Sequence, residues 1–88
     1  MTIKKTAVAG TLESSDCLIT LEPSDSLEIQ LESTVKDLFG QDIIDCVTKT
    51  LKEFGIDAAR VSVQDKGAFD STIAARVECA VRRAQKED

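Results

Sequence analysis

Leu27, Ile29 and Leu31 alternate strictly with Glu28, Gln30 and Glu32, the strongest period-two signal in the chain. That spacing predicts a half-buried strand of an antiparallel sheet with an acidic outer face. Upstream, Cys17, Ile19 and Leu21 alternate with Leu18, Thr20 and Glu22, which predicts a second strand with one apolar face. Ala7 to Leu12 is small, β-branched and apolar, so it reads as a strand leading into the polar Glu13-Ser14-Ser15-Asp16, a hairpin connection. Pro23-Ser24-Asp25 turns the chain between the second and third strands.

From Val35 the period lengthens. Val35, Phe39, Ile43, Val47, Leu51 and Phe54 step by four or three, with Leu38 and Ile44 widening the stripe, which predicts a long amphipathic helix capped by Ser33 or Thr34. Gly40 weakens that helix by about 1 kcal/mol relative to Ala, so a bend or a late start near Gln41 is consistent with the pattern. Gly55 closes it, with Ile56 placed for the apolar contact of a Schellman end. Ala59 to Gln64 alternates again around Val61 and Val63, a short strand. After a turn at Asp65-Lys66-Gly67-Ala68, Asp70 or Ser71 caps a second helix whose inner stripe is Ile73, Val77, Ala80, Val81 and Ala84, with Arg76, Arg82 and Arg83 pointing outward.

The order β-β-β-α-β-α predicts an α+β fold: a small antiparallel or mixed four-stranded sheet with two helices packed on one face. Residues 1–88 read as a single domain. At this length only about 60–65% of the unfolded chain's surface can be buried, which leaves no room for a deep catalytic cleft. The core is aliphatic, and Phe39, Phe54 and Phe69 are expected inside it.

Charge and composition then remove function classes. Eleven Lys and Arg against sixteen Asp and Glu, a net charge of −5, argue against a nucleic-acid partner, whose phosphates require a basic face. The chain contains no His, so the usual general base at neutral pH is missing, and with it any Ser-His or Cys-His nucleophile pair. Cys17, Cys46 and Cys79 are odd in number and widely spaced, suggesting neither a zinc site nor a disulfide framework but small apolar residues in a reducing cytoplasm. Met1-Thr2-Ile3-Lys4-Lys5 has no apolar segment behind it and no run approaches membrane-spanning length, so a cytoplasmic location is expected.

Three local features carry candidate chemistry. Ser14 and Ser15 put adjacent hydroxyls on the hairpin loop, where nothing bulky shields them; on composition alone a solvated turn is the favoured reading. Asp25-Ser26-Leu27 imitates the Asp-Ser-Leu motif by which fatty-acid-type carriers hold phosphopantetheine. In those carriers the serine opens a helix, whereas the residues after Ser26 repeat every two, so Ser26 is the second choice of acceptor. Asp65 and Lys66 beside Gly67 are a charged turn or, less favoured, a seat for a phosphorylated group or a docking point for a partner.

Ala7-Val8-Ala9-Gly10-Thr11-Leu12-Glu13-Ser14-Ser15-Asp16 resembles the N-terminal signature of the acyl carrier (gamma) subunits of bacterial citrate lyase. Asp65-Lys66-Gly67-Ala68-Phe69-Asp70, followed by Ala75-Arg76, is similar to that family's approach to its last helix. The resemblance implies a non-catalytic carrier in a hetero-oligomeric lyase. It implies a covalent phosphoribosyl dephospho-coenzyme A arm, joined by a phosphodiester to the serine after Leu-Glu, which falls on Ser14, with Ser15 as a one-residue ambiguity. In that family an acetyl thioester on the arm is exchanged for citryl by the alpha (acyl transferase) subunit, and the beta (lyase) subunit cleaves citryl to oxaloacetate. A prosthetic-group transferase and an acetate-activating ligase are the further implied partners. Glu13 and Asp16 are read as bystanders or recognition determinants. The carrier of malonate decarboxylase is a close alternative, and an unmodified acidic adaptor is the reading from a different class.

Overall fold

The structure, a computed structural model, describes residues 3–86. Its elements follow the predicted order: β1 (Ala7–Gly10), β2 (Cys17–Glu22), β3 (Leu27–Ser33), α1 (Lys36–Glu53), β4 (Ala59–Asp65) and α2 (Asp70–Gln85). The strands form one 4-stranded sheet in the order β1-β2-β4-β3. β1 pairs antiparallel with β2, and β2 antiparallel with β4.

The third pairing corrects the expectation for β3, which runs parallel to β4 at the sheet edge, with Ile29 opposite Val61 and Leu31 opposite Val63. Parallel neighbours need a crossover connection, and α1 is that connection. An edge position also explains why the cleanest alternation in the sequence belongs to a strand that is only half-buried, with Leu27 exposed.

α2 packs on β1 and β2, α1 on β3, and the helices touch each other, so both lie on one face of the sheet as expected. Between the layers Ile19, Leu21, Val61, Val63, Val47, Leu51, Val77 and Val81 are all at 1% exposure or less. Each removes an aliphatic side chain from water, worth about 1.5–3 kcal/mol. The other face of the sheet shows Thr20, Ser62 and Gln30 across from one another and is polar. No helix is long and apolar enough to cross a membrane among the described residues.

The aromatic expectation fails at two positions. Phe54 is partly buried, but Phe39 and Phe69 are 51% and 75% exposed. The core is closed without these rings, by small and branched side chains, among them Ala59, Ala80 and Ala84.

Both helix starts also differ from expectation. Val35 and Phe69 occupy the N-cap positions and neither helix has a side-chain cap bond. Ser33 instead accepts the Val35 N–H and donates its hydroxyl to Asp65, and Asp70 sits in the first turn, where a carboxylate complements the helix dipole. Gly40 does not delay α1, which starts at Lys36 and runs through it; Gly40 is buried, and a Cβ there would meet the side chains of Lys36 and Leu31. The Schellman end is present: Ile56 N–H reaches the Leu51 carbonyl (2.9 Å), Gly55 N–H the Lys52 carbonyl (3.0 Å), and Gly55 has φ +72°.

Candidate functional site

β1 stops at Gly10, two residues before the apolar pattern ends, because the backbone there turns to φ +100°. A side chain at this position would place its Cβ 1.9 Å from the Cys17 carbonyl oxygen. Thr11 and Leu12 therefore belong to the loop, which runs over residues 11–16 and joins β1 to β2.

The loop is built around Asp16. Its carboxylate accepts the Thr11 hydroxyl (2.7 Å) and the Cys17 N–H (2.7 Å), and it is held in a fork by Arg76, Nε at 2.9 Å and a terminal nitrogen at 2.8 Å. Such a charge-assisted bidentate pair fixes geometry as well as charge. Asp16 is buried, and the Arg76 guanidinium, then the Thr11 hydroxyl and the Cys17 amide, hold its carboxyl far below the usual carboxylate range. The same hydrogen bond pushes Arg76 up from its ordinary value. Arg76 thus points to the loop, not outward, and Asp16 is its anchor, not a bystander.

Above this anchor the Asp16 N–H closes a turn on the Glu13 carbonyl (3.2 Å), with Ser14 and Ser15 as the central pair. The two serines are not equivalent. Ser15 is the one non-glycine at positive φ among the described residues (φ 66°), and its N–H is tied to the Lys66 carbonyl at 2.9 Å. Ser14 is exposed, and among the described residues no side chain hydrogen-bonds its hydroxyl. The turn therefore lifts one free hydroxyl away from a locked base.

The two segments that carry the family resemblance meet here. Lys66 N–H donates to the Asp16 carbonyl (2.9 Å), the counterpart of the Ser15 bond to Lys66, so the 65–69 turn is stitched to the serine loop through backbone. Asp65, 2% exposed, shapes that turn by accepting from Gly67 N–H (3.1 Å), Ala68 N–H (2.9 Å) and the Ser33 hydroxyl (2.8 Å). With its oxygens so engaged it is a turn-builder, as the favoured reading had it. Ser26, the second-choice acceptor, sits just before β3 rather than opening a helix, and its carbonyl accepts the Ala59 N–H.

Cys17 follows the loop directly in the chain. It is fully buried beneath that loop, and burial, then Asp16 and Asp65, push its thiol up to about 11. Burial, then Asp70, also raises Cys46. Among the described residues no cluster of His, Cys, Asp and Glu could hold a metal ion.

Residues 4–84 match the family described as ACP, the malonate decarboxylase delta subunit (MdcD). The citrate lyase acyl carrier protein of Clostridium perfringens is 50% identical, covering 98% of this chain and 87% of its own. That of Streptococcus mutans is 54% identical, covering 96% and 84%. Among solved structures, a chain of a Pseudomonas malonate decarboxylase hetero-tetramer in complex with malonate superposes with a TM-score of 0.81 at 20% identity, over 96% of this chain and 88% of that one, a likeness of fold.

Proposed function

This chain belongs to the acyl carrier family of the citrate lyase carrier proteins, and from that premise we propose that it carries acyl groups for a citrate lyase on an arm attached to Ser14. It is a carrier subunit and not itself the enzyme; cleavage of citrate to acetate and oxaloacetate falls to its partners. Curated relatives at about half identity over nearly the whole chain carry this reading, and they favour it over the malonate decarboxylase alternative, whose structure shares the fold at 20% identity.

The observation that supports Ser14 is its unpartnered hydroxyl at the tip of a turn whose base is fixed by Asp16, Arg76 and Lys66. A covalent arm needs a reachable hydroxyl and a root that does not move. Ser15 offers less, since its backbone is held in a strained conformation by the Lys66 bond.

The arm we assign is phosphoribosyl dephospho-coenzyme A, and the loop fits such a group as an outward tether. Glu13 is exposed beside Ser14 and Asp16 is already neutralised by Arg76, so residues 11–16 themselves bring no cation to an arm linked through phosphate, and we assign the arm to solvent. When attached, it supplies a thiol for thioester chemistry, while this chain's own residues hold its root and keep Cys17 out of competition. Tethering gives the acyl group a high local concentration at two successive partner sites. We assign those sites to alpha (acyl transferase) and beta (lyase) subunits, with a transferase activating the Ser14 hydroxyl during maturation, since the loop holds no base for it. Three free cysteines accord with a cytoplasmic complex.

Reconstitution tests the role. Purified alpha and beta subunits should cleave citrate only when this chain, loaded by its maturation enzymes, is added. Turnover by the two subunits without it, or by this chain without them, contradicts the proposal.

A further inference from the structure

An open groove of about 1250 Å³ runs between α1, the 65–69 turn and the start of α2. Gly67, Ala68 and Phe69 form one wall, and Phe39, Asp42, Asp45, Lys49 and Glu53 of α1 the other. Two observations set it apart from ordinary surface.

Phe69 breaks two local rules at once. It holds the N-cap position of α2, where Ser, Thr, Asp or Asn is worth about 1 kcal/mol more, and its ring stands 75% exposed over the groove. It neither caps nor packs. Phe39, 51% exposed, lies on the facing wall, so the two most exposed rings of the chain line one concavity. Residues that violate local preference without a folding gain mark functional surface, and aromatic side chains are the commonest anchors of protein interfaces.

The second observation is charge. Asp42, Asp45 and Glu53 are exposed along the α1 wall against the one lysine, Lys49. Glu53 lies in the last turn of α1, where a carboxylate opposes the helix dipole, and Asp45 is held in place by the Gln41 amide at 2.8 Å. A ring on each wall, with acids along the α1 side, is complementary to lysine and arginine around a protruding apolar side chain.

We propose that this groove docks a basic, apolar-tipped surface element of a catalytic partner subunit. The proposal rests on the carrier reading above and extends it: because the turn that walls the groove is backbone-bonded to the Ser14 loop through Lys66, a partner seated here lies beside the root of the arm. Ser14 is not among the groove's lining residues, so docking here confines the reach of whatever Ser14 carries without engaging that residue.

The test is the affinity of this chain for separately purified alpha and beta subunits, with and without the arm. Phe69→Ser, Phe39→Ser and the double change Asp42→Lys with Asp45→Lys all alter exposed positions, and a thermal melt of each variant checks that it folds before its affinity is compared. We expect at least about a tenfold loss of affinity for one subunit in each variant, and an affinity that weakens with added salt in the wild type and loses that dependence in the charge variant. Reversing Glu28 and Glu32 on the opposite sheet face should change nothing. Wild-type affinity for both subunits in all three groove variants overturns the proposal. So does self-association of the chain through Phe69, or protection of the Ala68 and Phe69 amides on loading of the arm alone. A chain that takes no arm yet binds through the groove instead contradicts the carrier reading and leaves the groove standing.

Discussion

Asp16 and Arg76 stand 60 residues apart in sequence and form a bidentate ion pair at 2.9 and 2.8 Å beneath the Ser14 turn. One partner lies at the end of the hairpin loop and the other in the N-terminal half of α2, so the pair ties the loop to the rigid body of the fold. Arg76→Ala should therefore loosen the loop before it unfolds the protein. Hydrogen exchange should show lost protection at the Ser15 and Asp16 amides with β4 unchanged, and arm attachment should slow severalfold.

The same pair sets a pH dependence. Asp16 has a folded pKa depressed below its unfolded value of about 3.9, so the stability it contributes is complete above about pH 4 and is lost as pH falls through the lower folded value. Asp16→Asn keeps the shape and removes the charge. Urea unfolding should show the wild type more stable than Asp16→Asn at neutral pH, with the gap closing as pH drops below about 4.

Gly10→Ala tests the loop's entry. The added methyl meets the Cys17 carbonyl at 1.9 Å in a backbone conformation that L-residues resist, which should cost at least about 1–3 kcal/mol in chemical denaturation. At Gly67, also at positive φ but with open space around it, Ala should cost less.

The thiols should be spectators. Cys17, fully buried and raised to about 11, should resist alkylation in the native protein and react only on unfolding. A Cys17→Ala variant should still accept the arm and carry acyl groups once loaded, because the proposed arm supplies the acyl-bearing sulfur.

Much of this architecture was legible in the residue pattern because it is local. The alternation at Cys17–Glu22 and Ala59–Asp65, the core stripe through Ile43, Val47 and Leu51, and the Gly55 stop each report their own segment's burial. What was not legible depends on partners distant in sequence. β3 carries the same period two whether its neighbour runs parallel or antiparallel, so its place beside β4 could not be read from Leu27–Ser33. Arg76 looks like any solvated helix charge until Asp16 is brought beneath it. The available signal was that both residues fall within the segments that resemble the carrier family. The exposure of Phe39 and Phe69 was not legible because apolar character predicts burial, and nothing in the local pattern marks a ring left outside the core.

The most direct test of the central claim is the intact mass and the modified peptide of this chain produced with its maturation enzymes, for wild type, Ser14→Ala, Ser15→Ala and Ser26→Ala. The account predicts a phosphoribosyl dephospho-coenzyme A increment on the peptide containing Ser14, lost in Ser14→Ala and retained in the other two. A smaller phosphopantetheine increment on Ser26, an increment that survives Ser14→Ala, or none under maturation conditions that load a citrate lyase carrier would contradict it.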